Sequence, residues 1–176
     1  MRAKKPRPRR APRQAPNPVV RKKPEISLRA RALQYLARRE YSRAELRGKL
    51  LPYALTNEDS SQPENLDALL DDLTARGWLS DERAAMQLVR AKRSRFGAQR
   101  IAHELRQKGI AETLIGEALP QLKETEFETA CEVWQKKFGA LPLDAMEKAK
   151  QARFLQSRGF ALEVIFKVLR STDVEG

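Results

Sequence analysis

Three times along the chain a leucine is followed at the third position by a basic residue, then glycine, then a large apolar residue. These are Leu73-x-x-Arg76-Gly77-Trp78, Leu105-x-x-Lys108-Gly109-Ile110 and Leu155-x-x-Arg158-Gly159-Phe160. Each reads as a helix C-terminus. The glycine takes the left-handed C′ position without steric cost, and the basic residue sits against the negative end of the helix dipole. The apolar residue at C″ then lies where it can reach the leucine at C3. With only eight glycines in 176 residues, three such stops point to recurring helical units. The last two belong to a longer match at an offset of fifty: Ala102, Leu105, Gly109, Ile110, Ile115 and Leu119 map onto Ala152, Leu155, Gly159, Phe160, Ile165 and Leu169. A looser match at an offset of 55 aligns Leu33, Tyr41, Leu46 and Leu50 with Leu88, Phe96, Ile101 and Leu105. Three units of about three helices each are expected, over 27–78, 80–122 and 123–171. Helical repeats of this kind stack into elongated arrays whose faces bind extended partners.

The spacing of apolar residues supports an all-α chain. Leu28, Ala32, Tyr35 and Leu36 share one helical face. Ser42-Arg43-Ala44-Glu45 is a capping box and opens a helix to about Leu51, where Pro52 should halt it. Thr56–Gln62 reads as a loop, and Pro63 opens a helix buried through Leu66, Leu69, Leu70 and Leu73. Ser80, followed by Asp81 and Glu82, starts another that ends near Arg95. Helices follow over 98–108 and 111–119, then a stripe of Phe127, Ala130, Cys131, Trp134 and Phe138, then 142–158 and 161–170. No run alternates with the period of a strand.

Charge divides the chain sharply. It carries 35 Lys/Arg against 23 Asp/Glu. Residues 1–25 hold ten of those cations, one acid and six of the ten prolines, a local charge of +9 that leaves +3 for everything else. Such a segment cannot bury enough apolar surface to offset its ordering entropy, so a disordered basic tail is expected. In the body the sign alternates: +5 over 27–53, −7 over 54–82 and +7 over 83–110. The basic stretches supply candidate contacts to phosphates or to an acidic protein surface: Arg38, Arg39, Arg43, Arg47 and Lys49, then Arg90, Lys92, Arg93, Arg95, Arg100, Arg106 and Lys108. The competing reading is a solvated helical face whose cations pair with neighbouring acids. No aromatic residues interleave with these cations as a single-strand stacking platform requires, which favours electrostatic contact over base reading.

The chain carries no phosphate loop, nucleophile elbow or paired metal-binding histidines. His103 is a lone histidine expected at or near the surface. Cys131, the single cysteine, sits on an apolar stripe as an inert thiol and cannot form an intrachain disulfide. Trp78 and Trp134 are expected in core or inter-unit contacts. No catalytic residue, metal or cofactor is expected, and no apolar run is long enough to span a membrane. A cytoplasmic monomer is the default.

Four segments carry a family resemblance. They are Ala32-Leu33-x-Tyr35-Leu36-Ala37-Arg38-Arg39-Glu40-Tyr41-Ser42-x-x-Glu45-Leu46-x-x-Lys49-Leu50, Gly77-Trp78-Leu79-Ser80-Asp81-Glu82-Arg83-Ala84-Ala85, Glu104-Leu105-Arg106-Gln107-Lys108-Gly109-Ile110, and Arg153-Phe154-Leu155-x-x-Arg158-Gly159-Phe160. In order and spacing they resemble the RecX family over nearly the whole of 28–170. The resemblance implies three tandem three-helix units in a curved array. It also implies a regulator that binds the RecA–DNA filament, opposes its activity and has some affinity for single- or double-stranded DNA. From the residues alone, the alternative is a helix-turn-helix transcription regulator, built from short helices with tight turns and a basic charge.

Overall fold

The computed structural model describes residues 26–56 and 65–171. Nine helices and no strand occur among them: α1 (Leu28–Leu36), α2 (Arg43–Thr56), α3 (Leu66–Ala75), α4 (Asp81–Lys92), α5 (Ala98–Gln107), α6 (Glu112–Glu124), α7 (Glu126–Lys137), α8 (Ala145–Ser157) and α9 (Leu162–Ser171). The expected disordered tail, the 56–62 loop after Thr56 and the role of Pro63 fall outside the described residues. The result is an all-α fold of repeated helical units.

Local capping explains most helix starts. Ser27, Asn65, Ser80 and Asp144 each accept a hydrogen bond from an amide in the first turn of the helix that follows, which satisfies donors that have no partner within the helix. The capping box forms as expected: the Glu45 amide donates to Ser42 Oγ at 3.1 Å, and the Ser42 amide donates to Glu45 Oε2 at 3.3 Å. Pro52, however, does not halt α2, which continues to Thr56. Likewise α6 passes Pro120 and runs to Glu124 instead of stopping near 119. Both prolines lie on exposed faces, so water can hydrate the carbonyl that each leaves without its helical donor.

All three glycine stops adopt the Schellman geometry. Gly77, Gly109 and Gly159 have φ of 70°, 71° and 78°. The following amides, of Trp78, Ile110 and Phe160, reach back to the carbonyls of Leu73, Leu105 and Leu155 at 2.9, 3.1 and 3.3 Å. Ile110 and Phe160 are buried, but Trp78 is 46% exposed, which corrects the expectation of a core or inter-unit contact. Leu79, 2% exposed, fills the first core in its place, and its amide makes a second bond to the Leu73 carbonyl at 3.1 Å. Trp134 does lie in a core, where its indole N–H donates to Gln151 Oε1 at 2.7 Å.

Buried side chains form three separate clusters. Leu46, Leu50, Leu70 and Leu73 centre the first, within α1–α3. Ile101, Leu105, Ile110 and Ile115 centre the second, within α4–α6. Trp134, Leu155, Phe160 and Ile165 centre the third, within α7–α9. The clusters are joined by one construction used twice. The hydroxyl of Ser42, at the start of α2, donates to the carbonyl of Lys108, at the end of α5, at 2.5 Å. The amide of Gly97, at the start of α5, donates to the carbonyl of Arg158, at the end of α8, at 3.0 Å. The middle helices therefore run head to tail, the positive end of one dipole against the negative end of the next. An acid completes each joint: Asp81 accepts from the Arg43 amide at 2.7 Å, and the buried Glu126 accepts from the Ala98 amide at 3.0 Å.

Candidate partner and nucleic-acid interface

The structure sorts the basic candidates by what they touch. Arg43 pairs with Asp71 at 2.8 Å and Arg47 with Asp67 at 3.1 Å, so both tie α2 to the acidic face of α3. Lys92 and Arg100 converge on Glu104, at 3.3 and 3.5 Å. Arg106 pairs with Glu112 at 2.6 Å. Arg39 and Lys108 share Glu45, and the Arg39 guanidinium lies 3.7 Å from the Tyr41 ring centroid. Arg38, Lys49, Arg90, Arg93 and Arg95 have no carboxylate within ion-pair distance among the described residues. Seven of the twelve candidates are thus paired with carboxylates, mostly between neighbouring elements, and five are turned to solvent.

Glu45 holds the first joint together electrostatically. Burial alone would raise its pKa, but hydrogen bonds from Arg39, Lys108 and the Ser42 amide outweigh burial and hold the carboxyl below the usual carboxylate range. The same bond raises the pKa of Arg39 further. Because the folded pKa is depressed, the contribution of Glu45 is fully present above the unfolded value, about 4.3, and fades as pH falls through the folded value. Glu45→Gln is therefore expected to destabilise the chain at neutral pH by about 1.5–3 kcal/mol, the worth of hydrogen bonds to a charged group. The deficit should shrink as pH falls below that carboxylate range. Urea melts of both proteins at neutral and acidic pH check this; a deficit that does not change with pH would deny Glu45 its electrostatic role.

Two grooves adjoin unpaired cations. Between α4 and α6, Met86, Val89 and Leu114 line a cleft of about 490 Å³ with Arg90, Arg93, Glu82 and Glu117 around it. Near the second joint, Val133 and Phe154 wall a cleft of about 390 Å³ lined by Arg95, Lys136, Lys137 and Arg158. Lys136, Lys137 and Arg158 were not among the candidates from sequence. Arg158 belongs to the third glycine stop and Lys136-Lys137 form a basic doublet, but only the fold carries them to Arg95. Aromatics also stand closer to cations than the sequence indicated: Lys92, Arg95 and Arg158 lie 5.0, 5.8 and 5.6 Å from the Phe96 ring centroid.

His103 is exposed and hydrogen-bonded to Gln107 at 3.0 Å. Cys131 is half-buried beside the third core, and burial, helped by Glu128, pushes its thiol pKa up, away from thiolate reactivity. Among the described residues no group of three or more His, Cys, Asp or Glu is placed to hold a metal ion, and no helix is long and apolar enough to cross a membrane.

The comparisons with known proteins agree with this architecture. A regulatory protein RecX from Leptothrix cholodnii is 47% identical over 153 residues, spanning 87% of this chain and 94% of that protein. The chain belongs to the RecX family. A RecX regulatory protein from Chromobacterium violaceum is 46% identical over 143 residues, 81% of this chain and 89% of its own. Family models described as the second and third three-helix domains of RecX match residues 80–119 and 124–169. Among solved structures, RecX from Lactobacillus salivarius superposes with a TM-score of 0.66 at 18% identity, covering 84% of this chain and 95% of that one. Another RecX regulatory protein gives 0.65 at 24% identity, covering 82% and 71%. These structures share the fold, and the family is one of regulatory proteins.

Proposed function

We propose that this RecX chain is a non-catalytic regulator that binds the RecA–DNA filament and lowers RecA ATPase and recombinase activity, with auxiliary, largely sequence-independent contact to DNA. The observation that carries the reading is the similarity to RecX regulators along nearly the full length of the helical array. The cations Arg38, Lys49, Arg90 and Arg93, which no carboxylate neutralises among the described residues, support the electrostatic part. It acts as a cytoplasmic monomer, and the basic segment 1–25 adds affinity for DNA without carrying the inhibition.

The test is RecA ATP hydrolysis on single-stranded DNA, titrated with the full chain and with a version lacking residues 1–25. Inhibition by both is expected. Inhibition lost with residues 1–25 would reduce the effect to competition for DNA. No inhibition by either would move the protein to the class of helix-turn-helix DNA-binding regulators, whose mark is sequence-specific duplex binding.

A further inference from the structure

The two joints of the array share one construction but differ in charge: acids and cations pair in the first, and cations gather in the second. Ser42 and Gly97 begin equivalent helices and bond equivalent carbonyls, those of Lys108 and Arg158. On that alignment Tyr41 corresponds to Phe96, Glu40 to Arg95 and Glu45 to Arg100. In the first joint the acids are used: Glu40 pairs with Arg83 at 2.9 Å, and Glu45 with Lys108. In the second, Arg95 and Arg100 replace both acids while a cation remains at Arg158. Asp81 and Glu126 cap equivalent amides, so α4 and α7 also correspond, and Lys92, paired with Glu104, becomes Lys137, which has no ion pair among the described residues. Glu128 takes the place of Arg83 but lies outside ion-pair distance of Arg95. Among the described residues Lys136 pairs only with the exposed Glu132, at 3.5 Å.

The cleft at this joint is therefore lined by Arg95, Lys136, Lys137 and Arg158 with no carboxylate among its walls. Like charges gathered where the same fold accommodates acids repel one another until an anion enters, and a cleft lined by one sign of charge concentrates anions. Its volume of about 390 Å³ falls within the roughly 300–1,000 Å³ of small-ligand sites. We propose that this joint is a phosphate-binding groove that seats the backbone of a nucleic-acid strand. Arg95, Lys137 and Arg158 hold the phosphate, and Val133 and Phe154 wall the sugar and base edge. The Arg158 guanidinium is already set: it donates to the Arg95 carbonyl at 3.2 Å and lies 4.7 Å from the Phe154 ring centroid. The apolar wall favours a nucleotide over a glutamate side chain, whose short stem would leave it uncovered. Because Arg95 comes from the second cluster and Lys137 and Arg158 from the third, a bound strand also clasps the two together.

The proposal rests on the DNA-contact part of the function above and is tested without RecA. A labelled oligothymidylate is titrated by fluorescence anisotropy with the full chain at several salt concentrations. Arg95→Glu, which installs the acid that the first joint carries, and Lys137→Ala are compared with Lys148→Ala, which removes one exposed cation outside the groove. Lys137→Ala is expected to weaken binding several-fold and to lower the salt slope by about 0.7, the value of one phosphate on a single strand. Arg95→Glu should weaken binding further while melting no lower than the parent, since Arg158 then faces a carboxylate. Binding and slopes that match Lys148→Ala in both variants would overturn the groove. So would a polyglutamate peptide whose binding the two variants abolish while oligonucleotide binding persists. RecA inhibition by the unsubstituted chain is a separate measurement, so the groove can fail while the regulator reading stands, and the reverse.

Discussion

Gly97→Ala is expected to lower the stability of the chain by about 3 kcal/mol, at the upper end for an overpacked site, although nothing in the backbone at that position demands glycine. Its φ is −74°, open to any residue. The obstacle is across the joint. A Cβ at residue 97 would fall 2.5 Å from the Gly159 carbonyl carbon and from the Phe160 amide nitrogen, and closer still to the Gly159 oxygen. These are backbone atoms of the turn that closes α8, so they cannot swing aside as a flexible side chain would. The second and third clusters must part. That weakens the Gly97–Arg158 bond at 3.0 Å, the Ala98–Glu126 bond at 3.0 Å and the Arg158–Arg95 bond at 3.2 Å. For a chain of this size the loss corresponds to a fall in Tm of roughly 6–12 °C. Gly77→Ala is the contrast: its φ is +70° with nothing within 4 Å of the added Cβ, so only the left-handed strain of about 1–2 kcal/mol applies. Thermal melts by circular dichroism decide between them. A Gly97→Ala protein that melts with the parent would mean that the second joint is not closed in solution.

The contrast between these glycines marks where sequence reasoning stops. Gly77, Gly109 and Gly159 were legible because a glycine stop is a local device, and its leucine, basic residue and glycine lie within a few residues of one another. The Ser42–Glu45 capping box was legible for the same reason. Gly97 reads from sequence only as a helix boundary, because its constraint comes from Gly159, far along the chain. Ser42 shows both aspects in one residue: its bond to the Glu45 amide is local, while its bond to the Lys108 carbonyl spans 66 positions. The candidate site divides in the same way. Counting charges placed basic and acidic blocks side by side, but could not say that Arg43 and Arg47 meet Asp71 and Asp67 while Arg38 and Lys49 meet no acid among the described residues. Arg95, Lys137 and Arg158 come from three elements, and no window along the sequence contains them together. Pro52 reads from sequence as a stop, yet α2 runs on to Thr56: a proline inside a helix carries a local cost that packing of the rest of the helix can outweigh.

Phe160→Ala and Trp78→Ala occupy the same place in the same motif, yet their effects should differ severalfold. Phe160 is 1% exposed and packs in the third core with Trp134, Leu155 and Ile165. Its truncation removes a large buried ring and leaves a cavity, for a cost of about 3–5 kcal/mol. Trp78, although larger, is 46% exposed, and its indole rests 5.6 Å from the Arg76 guanidinium instead of in the core. Its removal should cost under about 0.5–1 kcal/mol, the value of an exposed cation–π contact. The difference follows from where each stop falls. Those at Leu105 and Leu155 end middle helices, so the residue after glycine turns into its own unit. The stop at Leu73 ends the last helix of the first cluster, where Leu79 takes the buried position and its amide bonds Leu73. Leu79→Ala should therefore behave like Phe160→Ala, with a cost of about 2–5 kcal/mol. Urea denaturation of the three variants separates the alternatives. Trp78→Ala as damaging as Phe160→Ala, with Leu79→Ala mild, would show that the tryptophan and not the leucine closes the first core.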